Sequence, residues 1–438
     1  MEWWQTLLVI FAGLSFLLAL GMPVAFSFIL VNVIGIWLLQ GGGNAFNQLA
    51  LSMYSSVSSF TLAPIPLFVL MGELLWQSRL AFNALDVLDK LLGRISGRLS
   101  VLTVCTGTVF SALSGSTMAN TAMLGTLLLP EMERRGYART MSVGPILASG
   151  GLAMMIPPSA LGVILAALAG LSIGKILIGA VLPALLMALL YFGYIVVRCR
   201  LDPSLTPAYE VERVPLREKL LAIAKHLLPL GMIVFLVTGL IVVGVATPTE
   251  SAALGCLGSV ILVAAYGRLT WPVVRDSVSG ALKITAMMLA ILVGAIGFSQ
   301  ILAFSGASRG LLQYVTGLAM EPIITILLMQ LVVLALGSFM EQIAIMLITL
   351  PIYIPIVQAL GYDPIWFGIL LLINLQMALT TPPFGLLLFV IKGVAPPEMT
   401  MREIYLSCLP FLACDAVVLF TVLVFPETIT WFVGLVFD

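Results

Sequence analysis

The chain has 438 residues, of which 61% are hydrophobic and 9% are charged, and its formal net charge is zero. Apolar runs such as 7–39, 227–246 and 364–391 exclude a soluble domain of ordinary composition and predict an all-α, polytopic protein in a lipid bilayer. The balanced charge gives no indication of a nucleic-acid partner.

Apolar segments long enough to cross a bilayer of roughly 30 Å follow one another along the chain. We predict spans at 5–20, 23–39, 62–78, 140–172, 175–197, 227–245, 250–266, 280–303, 364–391 and 404–425. The first has no basic segment before it and leads directly into the next, so we expect a retained span and not a cleaved signal peptide. Segment 80–98 spaces leucines along one helical face, which predicts an interfacial helix, with a surface loop as the alternative.

Two further apolar stretches fit a single membrane crossing poorly. The stretches 99–133 and 322–355 are interrupted by small and polar residues, SGST at 114–117 and GSFMEQ at 337–342. Each apolar arm is only about half to three-quarters of a spanning length. This favours two re-entrant helical hairpins, each of which enters and leaves the membrane by the same face.

Proline and glycine recur at a constant offset of 225 residues, which indicates an internal repeat. The pairs are Pro23/Pro248, Gly72/Gly297, Pro130/Pro355, Gly136-Tyr137/Gly361-Tyr362 and Pro157-Pro158/Pro382-Pro383. The proline doublets predict that spans 140–172 and 364–391 are broken, with a simple kink as the alternative. We therefore divide the chain into a first repeat at 1–197, a polar connection at 198–226 and a second repeat at 227–438.

Basic residues indicate that the two repeats are inverted in the membrane. The first repeat carries Arg79, Lys90, Arg94, Arg98, Arg134, Arg135 and Arg139 in the segments 79–98 and 131–139. The equivalent segments of the second repeat hold only Arg309, and the connection 198–226 is basic. The positive-inside rule places the basic segments in the cytoplasm and both termini in the periplasm. If the stretch 99–133 crossed the membrane completely, the basic turn 134–139 would lie on the opposite face from the basic segment 79–98. The charge pattern therefore supports a hairpin.

Inverted repeats with broken helices are typical of secondary transporters whose site lies near the bilayer midplane. Each repeat supplies one hairpin tip and one break, where carbonyls can coordinate a cation and helix N-termini can bind an anion. The predicted substrate- and cation-binding residues are Ser114, Gly115, Ser116, Thr117, Asn120, Pro157, Pro158, Ser159, Gly337, Ser338, Glu341, Gln342, Asn374, Thr380, Thr381, Pro382 and Pro383.

Glu341 aligns with Ser116 at the 225-residue offset and is the most deeply placed carboxylate of the second repeat. A carboxylate beside unwound carbonyls suits a sodium ion or a proton, so we expect Na⁺ near Ser114, Ser116, Glu341 and Thr381. The tips and breaks contain no lysine or arginine, so an anionic substrate would need helix dipoles, hydroxyls, amides and a co-bound cation. This favours cation coupling.

Structural roles remain open for several of these residues. The small residues could serve close helix packing, and Glu341 could pair outside the site. Asn120, Asn374 and Gln376 could line the cavity or bridge helices.

Other polar residues give no indication of an enzyme. Glu250 is expected to cap a helix, His226 to lie at the membrane interface, and Asp415 has no assigned partner. The five cysteines include no CxxC pair, so neither a disulfide framework nor a metal site is predicted. Paired acids with a metal, HExxH and a Ser/His set are all missing from the sequence, so we expect no catalytic activity and no cofactor besides the coupling ion.

The chain resembles the large membrane subunit of the tripartite ATP-independent periplasmic (TRAP) transporters over nearly its whole length. The motifs that carry the resemblance are GMPVAF at 21–26, PIPLFVLMGELL at 64–75, FSALSGSTMANTAMLGTLLLPEMERRGY at 110–137, IPPSALG at 156–162, GVATPTESAALG at 244–255, LPIYIPIVQALGYDPIWFG at 350–368 and NLQMALTTPPFGLLLFV at 374–390. One departure is Met340-Glu341, because the family usually has Asp after Met at the second hairpin tip.

The resemblance implies an elevator-type transporter of the bacterial inner membrane, in which the hairpins and broken spans move against a scaffold. It also implies Na⁺ coupling, a small membrane subunit of about four spans, and a soluble periplasmic binding protein that delivers a carboxylate-bearing solute. The predicted function is therefore cation-coupled uptake of a small carboxylate into the cytoplasm. A standalone cation/anion symporter of a related elevator fold is the alternative.

Overall fold

The computed structural model describes residues 2–41, 43–93, 95–207, 215–317 and 320–437. Across these ranges the regular structure is helical and includes no β-strand. The predicted cytoplasmic residue Arg94 and residues 208–214 of the polar connection lie outside the described residues.

The first part of the chain forms ten α-helices. These are α1 Trp3–Ala19, α2 Val24–Gln40, α3 Asn44–Val57, α4 Pro64–Gln77, α5 Leu80–Leu91, α6 Arg98–Ser114, α7 Thr117–Arg134, α8 Arg139–Gly151, α9 Ala160–Ala169 and α10 Ile173–Leu201. Helix α3 was not predicted, because its serine-rich and polar sequence lacks a continuous apolar run. The amphipathic helix α5 confirms the prediction of a helix in 80–98 but ends at Leu91, before Gly93.

The second part begins with a nearly continuous helix over residues 216–242. It comprises α11 Leu216–Ala222, α12 Leu228–Val234 and α13 Leu240–Val242, joined by the π-helical turns Ile223–Leu227 and Phe235–Gly239. The remaining helices are α14 Pro248–Ala265, α15 Trp271–Phe304, α16 Ala307–Gly317, α17 Pro322–Gly337, α18 Gln342–Ala359, α19 Pro364–Thr380, α20 Leu386–Val394, α21 Met401–Val424 and α22 Glu427–Phe437. Helix α15 starts nine residues before the predicted span 280–303 because Pro272 starts its first turn.

Length and apolar composition allow six helical segments of the described chain to cross a membrane. These are Ile173–Leu201, Leu216–Val242, Pro248–Ala265, Trp271–Phe304, Gln342–Ala359 and Met401–Val424. The hairpins and breaks account for several shorter apolar helices, including α6, α9, α17 and α19.

Both predicted hairpins and both predicted breaks are present, which confirms the fold class. Helices α6 and α7 meet at Gly115, whose φ of +60° favours glycine. Residues 338–341 separate α17 from α18 without a residue of positive φ. Residues 152–159 separate α8 from α9, residues 381–385 separate α19 from α20, and each break contains a cis proline doublet.

The repeat is visible in the helix bounds. When α7, residues 117–134, is shifted by the 225-residue offset, it has the bounds of α18, residues 342–359. The repeats differ where the first has α3 and α4 and the second has the continuous helix α15. The domain bounds 1–197, 198–226 and 227–438 stay a prediction.

Hydrogen bonds bring the predicted cytoplasmic segments together at one end of the molecule. The Leu99 amide donates to Tyr137 Oη at 3.3 Å, so the two ends of the first hairpin adjoin. The Ala138 amide donates to the Leu205 carbonyl at 2.9 Å, which adds the polar connection to the same end. This is the arrangement that a hairpin requires, while a full crossing would separate these segments.

The helices pack into two groups. In what we call the flanking group, α15 packs on α2, α3 and α4, and α14 packs on α4. In the hairpin group, α8 packs on α6, α7 and α21, while α19 packs on α17, α10 and α21. The groups meet where α4 contacts α6 and α9, and where α15 contacts α9 and α18. This boundary positions the candidate site.

Candidate functional site

A cavity of about 340 Å³ lies at the boundary between the two helix groups. The hairpin group contributes the first hairpin tip, residues 114–119, the second tip at Glu341 and Gln342, and Pro158 from the first break. The flanking group contributes residues of α4 and α15. Two hairpin tips separated by more than two hundred residues thus line one cavity.

Seven of the predicted site residues line this cavity. They are Ser114, Gly115, Ser116, Thr117, Pro158, Glu341 and Gln342. Ser116 caps α7 by accepting a hydrogen bond from the Ala119 amide at 3.4 Å. Glu341 caps α18, and its Oε2 accepts from the Ile343 amide at 3.2 Å. Both helix N-termini therefore adjoin the cavity, each with an oxygen-bearing side chain at its capping residue.

The second break does not contribute to the cavity lining. The Thr380 and Thr381 hydroxyls donate to the Met377 carbonyl at 3.1 and 2.7 Å, and so complete the last turn of α19. The Pro383 carbonyl accepts from Tyr405 Oη at 2.8 Å, and Pro382 lies outside the lining as well. Of the predicted sodium residues, Ser114, Ser116 and Glu341 share the cavity, whereas Thr381 lies outside its lining.

Asn120 is completely buried and bridges helices instead of lining this cavity. Its Nδ2 donates to Ser111 Oγ at 2.9 Å and to the Gly107 carbonyl at 3.2 Å, which joins the two arms of the first hairpin. A third contact, 3.4 Å to the Ser149 carbonyl, links the hairpin to α8. The first hairpin is therefore fixed to the broken helix beside it.

The second hairpin is fixed to α19 by corresponding contacts. Asn374 Nδ2 donates to the Gln330 carbonyl at 2.5 Å and to Gln330 Oε1 at 2.8 Å. A Cβ atom on Gly337 would collide with Ala378, so glycine allows this close approach of α17 and α19. Helix bridging and close packing are thus what the structure shows for Asn374 and Gly337.

The remaining predicted residues serve local helix geometry. Ser159 caps α9 by accepting from the Gly162 amide at 3.0 Å, and Pro157 precedes it in the buried break. Ser338 Oγ donates to the Leu334 carbonyl at 3.4 Å, within the last turn of α17. Neither serine lines the cavity.

The structure shows the hydrogen-bond partners of Glu250 and Asp415. Glu250 forms a capping box with Thr247, whose amide donates to Glu250 Oε2 at 2.8 Å, so the expected helix-capping role is confirmed. The buried Asp415 accepts a hydrogen bond from Tyr191 Oη, which in turn accepts one from Gln376 Nε2 at 3.1 Å. This network joins α10, α19 and α21 inside the hairpin group.

Sequence reasoning missed the cavity residues that the flanking group supplies. These include Glu73 and Trp76 on α4 and Met287 and Met288 on α15. Glu73 could have been identified as an acid within an apolar helix. The methionines carry no such signal, because apolar side chains are expected throughout a spanning helix.

The electrostatics of the cavity favour a cation. Its described lining includes two carboxylates, Glu73 and Glu341, and neither lysine nor arginine. No group of three or more histidine, cysteine, aspartate or glutamate residues in the described ranges could hold a metal ion. The lining offers hydroxyl and carboxylate oxygens, which are ligands typical of hard cations.

Comparisons with known proteins agree with this architecture. The sequence model of the tripartite ATP-independent periplasmic transporter, DctM component, matches residues 11–428. The C4-dicarboxylate TRAP transporter large permease protein DctM of Pseudomonas aeruginosa is 33% identical, with 87% of this chain and 88% of that protein covered. The sialic acid TRAP transporter large permease protein SiaM of Vibrio cholerae is 30% identical, with 95% and 96% covered.

The fold also matches a solved structure. The YdaH transporter of Alcanivorax borkumensis superposes with a TM-score of 0.64 at 13% identity, covering 88% of this chain and 90% of that one. At this identity the likeness concerns the fold alone. The family match over residues 11–428 and the helical architecture lead to the same conclusion: the chain belongs to the DctM family of membrane transport subunits and is not an enzyme.

Proposed function

We propose that this protein carries a small carboxylate-bearing solute into the cytoplasm by Na⁺-coupled secondary transport. The observation that carries the proposal is the cavity shared by both hairpin tips, where Ser114, Ser116 and Glu341 face one space. Two relatives named for C4-dicarboxylate and sialic acid transport support a carboxylate as the solute class.

The charge of the cavity supports the proposal of cation coupling. A carboxylate solute entering beside Glu73 and Glu341 would be repelled unless a cation were bound with it. The helix N-termini of α7 and α18 offset part of this repulsion with amide groups. Binding of the cation would therefore raise the affinity for the solute, and the solute would raise the affinity for the cation by the same factor.

The transport movement proposed here is a displacement of the hairpin group against the flanking group. Asn120 and Asn374 fix each hairpin to its neighbouring broken helix, which favours movement of these elements as one unit. At the boundary the flanking group presents Gly72, Met287 and Met288, which are small or flexible side chains. Such a surface can accommodate two positions of the opposing group.

We further propose that the chain is the translocating subunit of a three-part system in the bacterial inner membrane, with both termini periplasmic. A small four-span membrane subunit would extend the flanking group, and a periplasmic binding protein would deliver the solute. The description of the matching family as tripartite and periplasmic supports this arrangement. A standalone symporter is the alternative, and uptake by vesicles that contain this chain without partners would favour it.

The coupling ion can be identified in proteoliposomes that contain the chain and its partner subunits. We expect uptake of labelled succinate or sialic acid to require an inward Na⁺ gradient and to fall to background when K⁺ or choline replaces Na⁺. The physical reason is that the solute cannot occupy an acidic cavity without its cation. A separate pH series at constant Na⁺ distinguishes protons, and uptake unchanged by Na⁺ removal would refute sodium coupling.

A further inference from the structure

A second, wider cavity of about 920 Å³ lies next to the first and opens at the end of α4. Trp76 lines both cavities, so they adjoin at this residue. Beyond it, the lining continues along the chain with Gln77, Ser78 and Arg79. The two cavities therefore form consecutive spaces along one helix.

Two arginines give the wider cavity a charge opposite to that of the first. Arg79 comes from the turn between α4 and α5, and Arg268 from the loop between α14 and α15. No aspartate or glutamate occurs among the described lining residues, whereas the first cavity has two carboxylates and no arginine. An anion that passes Trp76 would thus move from an acidic space to a basic one.

A backbone contact holds the Arg268 side chain, and Arg79 lies in a constrained turn. Arg268 Nη1 donates to the Ser78 carbonyl at 3.0 Å, which joins the α14–α15 loop to the end of α4. Arg79 has a φ of +57° and is the only non-glycine residue with positive φ in the described ranges. A bulky residue in this conformation is uncommon and indicates a turn fixed by its surroundings.

The position of this cavity matches the predicted cytoplasmic side. The loop that carries Arg268 also contains Tyr266, whose hydroxyl donates to the Lys225 carbonyl in the basic connection. The segment that follows Arg79 belongs to the basic region 79–98. The wider cavity therefore lies at the end of the molecule where an imported solute would leave.

We propose that Arg79 and Arg268 form a release site that receives the carboxylate of the solute as it passes Trp76 into the cytoplasm. The inference deepens the proposed function and depends on it for the direction of transport. An arginine guanidinium is a suitable partner for a carboxylate because it remains charged and offers several donors. An open cavity exposes the pair to water, so binding there is weak and allows departure.

The charge of the release site can be measured without knowing the solute. Thr270 is exposed and lines the wider cavity, so Thr270→Cys, in a background without the five native cysteines, provides a reporter thiol. Its labelling rates are compared for methanethiosulfonate reagents that carry a sulfonate or a trimethylammonium group. We expect Arg79→Gln with Arg268→Gln to lower the sulfonate-to-ammonium ratio by about tenfold. Arg200→Gln, which removes an exposed arginine outside this lining, should change it less than about twofold.

Uptake provides the second arm of the test, in the complete transporter with native cysteines. The double glutamine variant should lower the maximal rate of Na⁺-dependent succinate or sialic acid uptake several-fold, and the double lysine variant should restore most of it. The release site would be overturned if the double glutamine variant left the labelling ratio unchanged. It would also be overturned if the wild type transported and the double glutamine variant had the same maximal uptake rate. Lack of Na⁺-dependent uptake by the wild type would instead contradict the proposed function, and the labelling ratio would still decide the charge of the cavity.

Discussion

Glu341→Gln is expected to reduce Na⁺-dependent uptake by about a hundredfold or more. The substitution keeps the size of the side chain and removes the charge beside the cavity shared by both hairpin tips. Removal of one partner from a buried charge pair costs about 3–5 kcal/mol, and each tenfold change corresponds to about 1.4 kcal/mol. Initial uptake rates at saturating and limiting Na⁺ measure the effect.

Glu341→Asp separates the role of the charge from that of side-chain length. This variant keeps a carboxylate at the N-terminus of α18 and shortens the side chain by one methylene group. We expect it to retain transport with a changed Na⁺ concentration for half-maximal rate. Glu321→Gln provides the control, because Glu321 precedes α17 and makes no side-chain capping bond. Wild-type rates for Glu341→Gln would remove this residue from the cation site.

Gly72→Ala is expected to lower the uptake rate by about tenfold while the protein still folds. A Cβ atom at this position would lie 2.9 Å from the Ser114 carbonyl oxygen and 3.3 Å from that of Leu113. These are backbone atoms of the first hairpin tip, so they cannot rotate away from the added methyl group. Overpacking of this kind costs typically about 1–3 kcal/mol, and it disfavours the arrangement in which the tip adjoins α4.

The reason for a selective effect is that Gly72 lies at the boundary between the groups and not inside either one. Displacement of the hairpin group from α4 would relieve the contact, so the variant should favour the opposite transport state. Gly193→Ala serves as the matched control, because a Cβ on Gly193 of α10 meets no atom within 4 Å. Thermal unfolding in detergent should show similar midpoints for the two variants. An uptake rate for Gly72→Ala equal to that of Gly193→Ala would contradict a functional contact at Gly72.

The broad fold followed from the sequence because proline, glycine and charge act locally. A short apolar arm ending in small residues requires a turn, which is why the tips at Gly115 and Glu341 were located correctly. The basic segments 79–98 and 134–139 must lie on the same face of the membrane, which requires a hairpin between them. The structure places Leu99 against Tyr137, as that argument demands.

Most of the cavity lining that the flanking group supplies could not be predicted from the sequence. A hairpin tip can be recognised from its own residues, but the opposing surface depends on which helices pack against it. Met287 and Met288 read as ordinary apolar residues until α15 is seen beside the tips. Thr381 and Pro382 were predicted from the equivalence of the two breaks, and in the structure they lie outside the lining of this cavity, with the Thr381 hydroxyl donating to the Met377 carbonyl.

Cross-linking the two helix groups tests the account most directly, because transport is proposed to require their relative movement. Met118→Cys on the first tip and Met287→Cys on α15 place one thiol on each side of the cavity. Arg139→Cys with Glu403→Cys provides a control pair within the hairpin group, where the native side chains form an ion pair. Both pairs are made without the native cysteines and joined by a reducible bifunctional methanethiosulfonate.

We predict that the cross-link between groups stops Na⁺-dependent uptake and that reductant restores it, while the control pair transports throughout. Undiminished uptake by protein fully cross-linked between Met118→Cys and Met287→Cys would contradict the proposed movement.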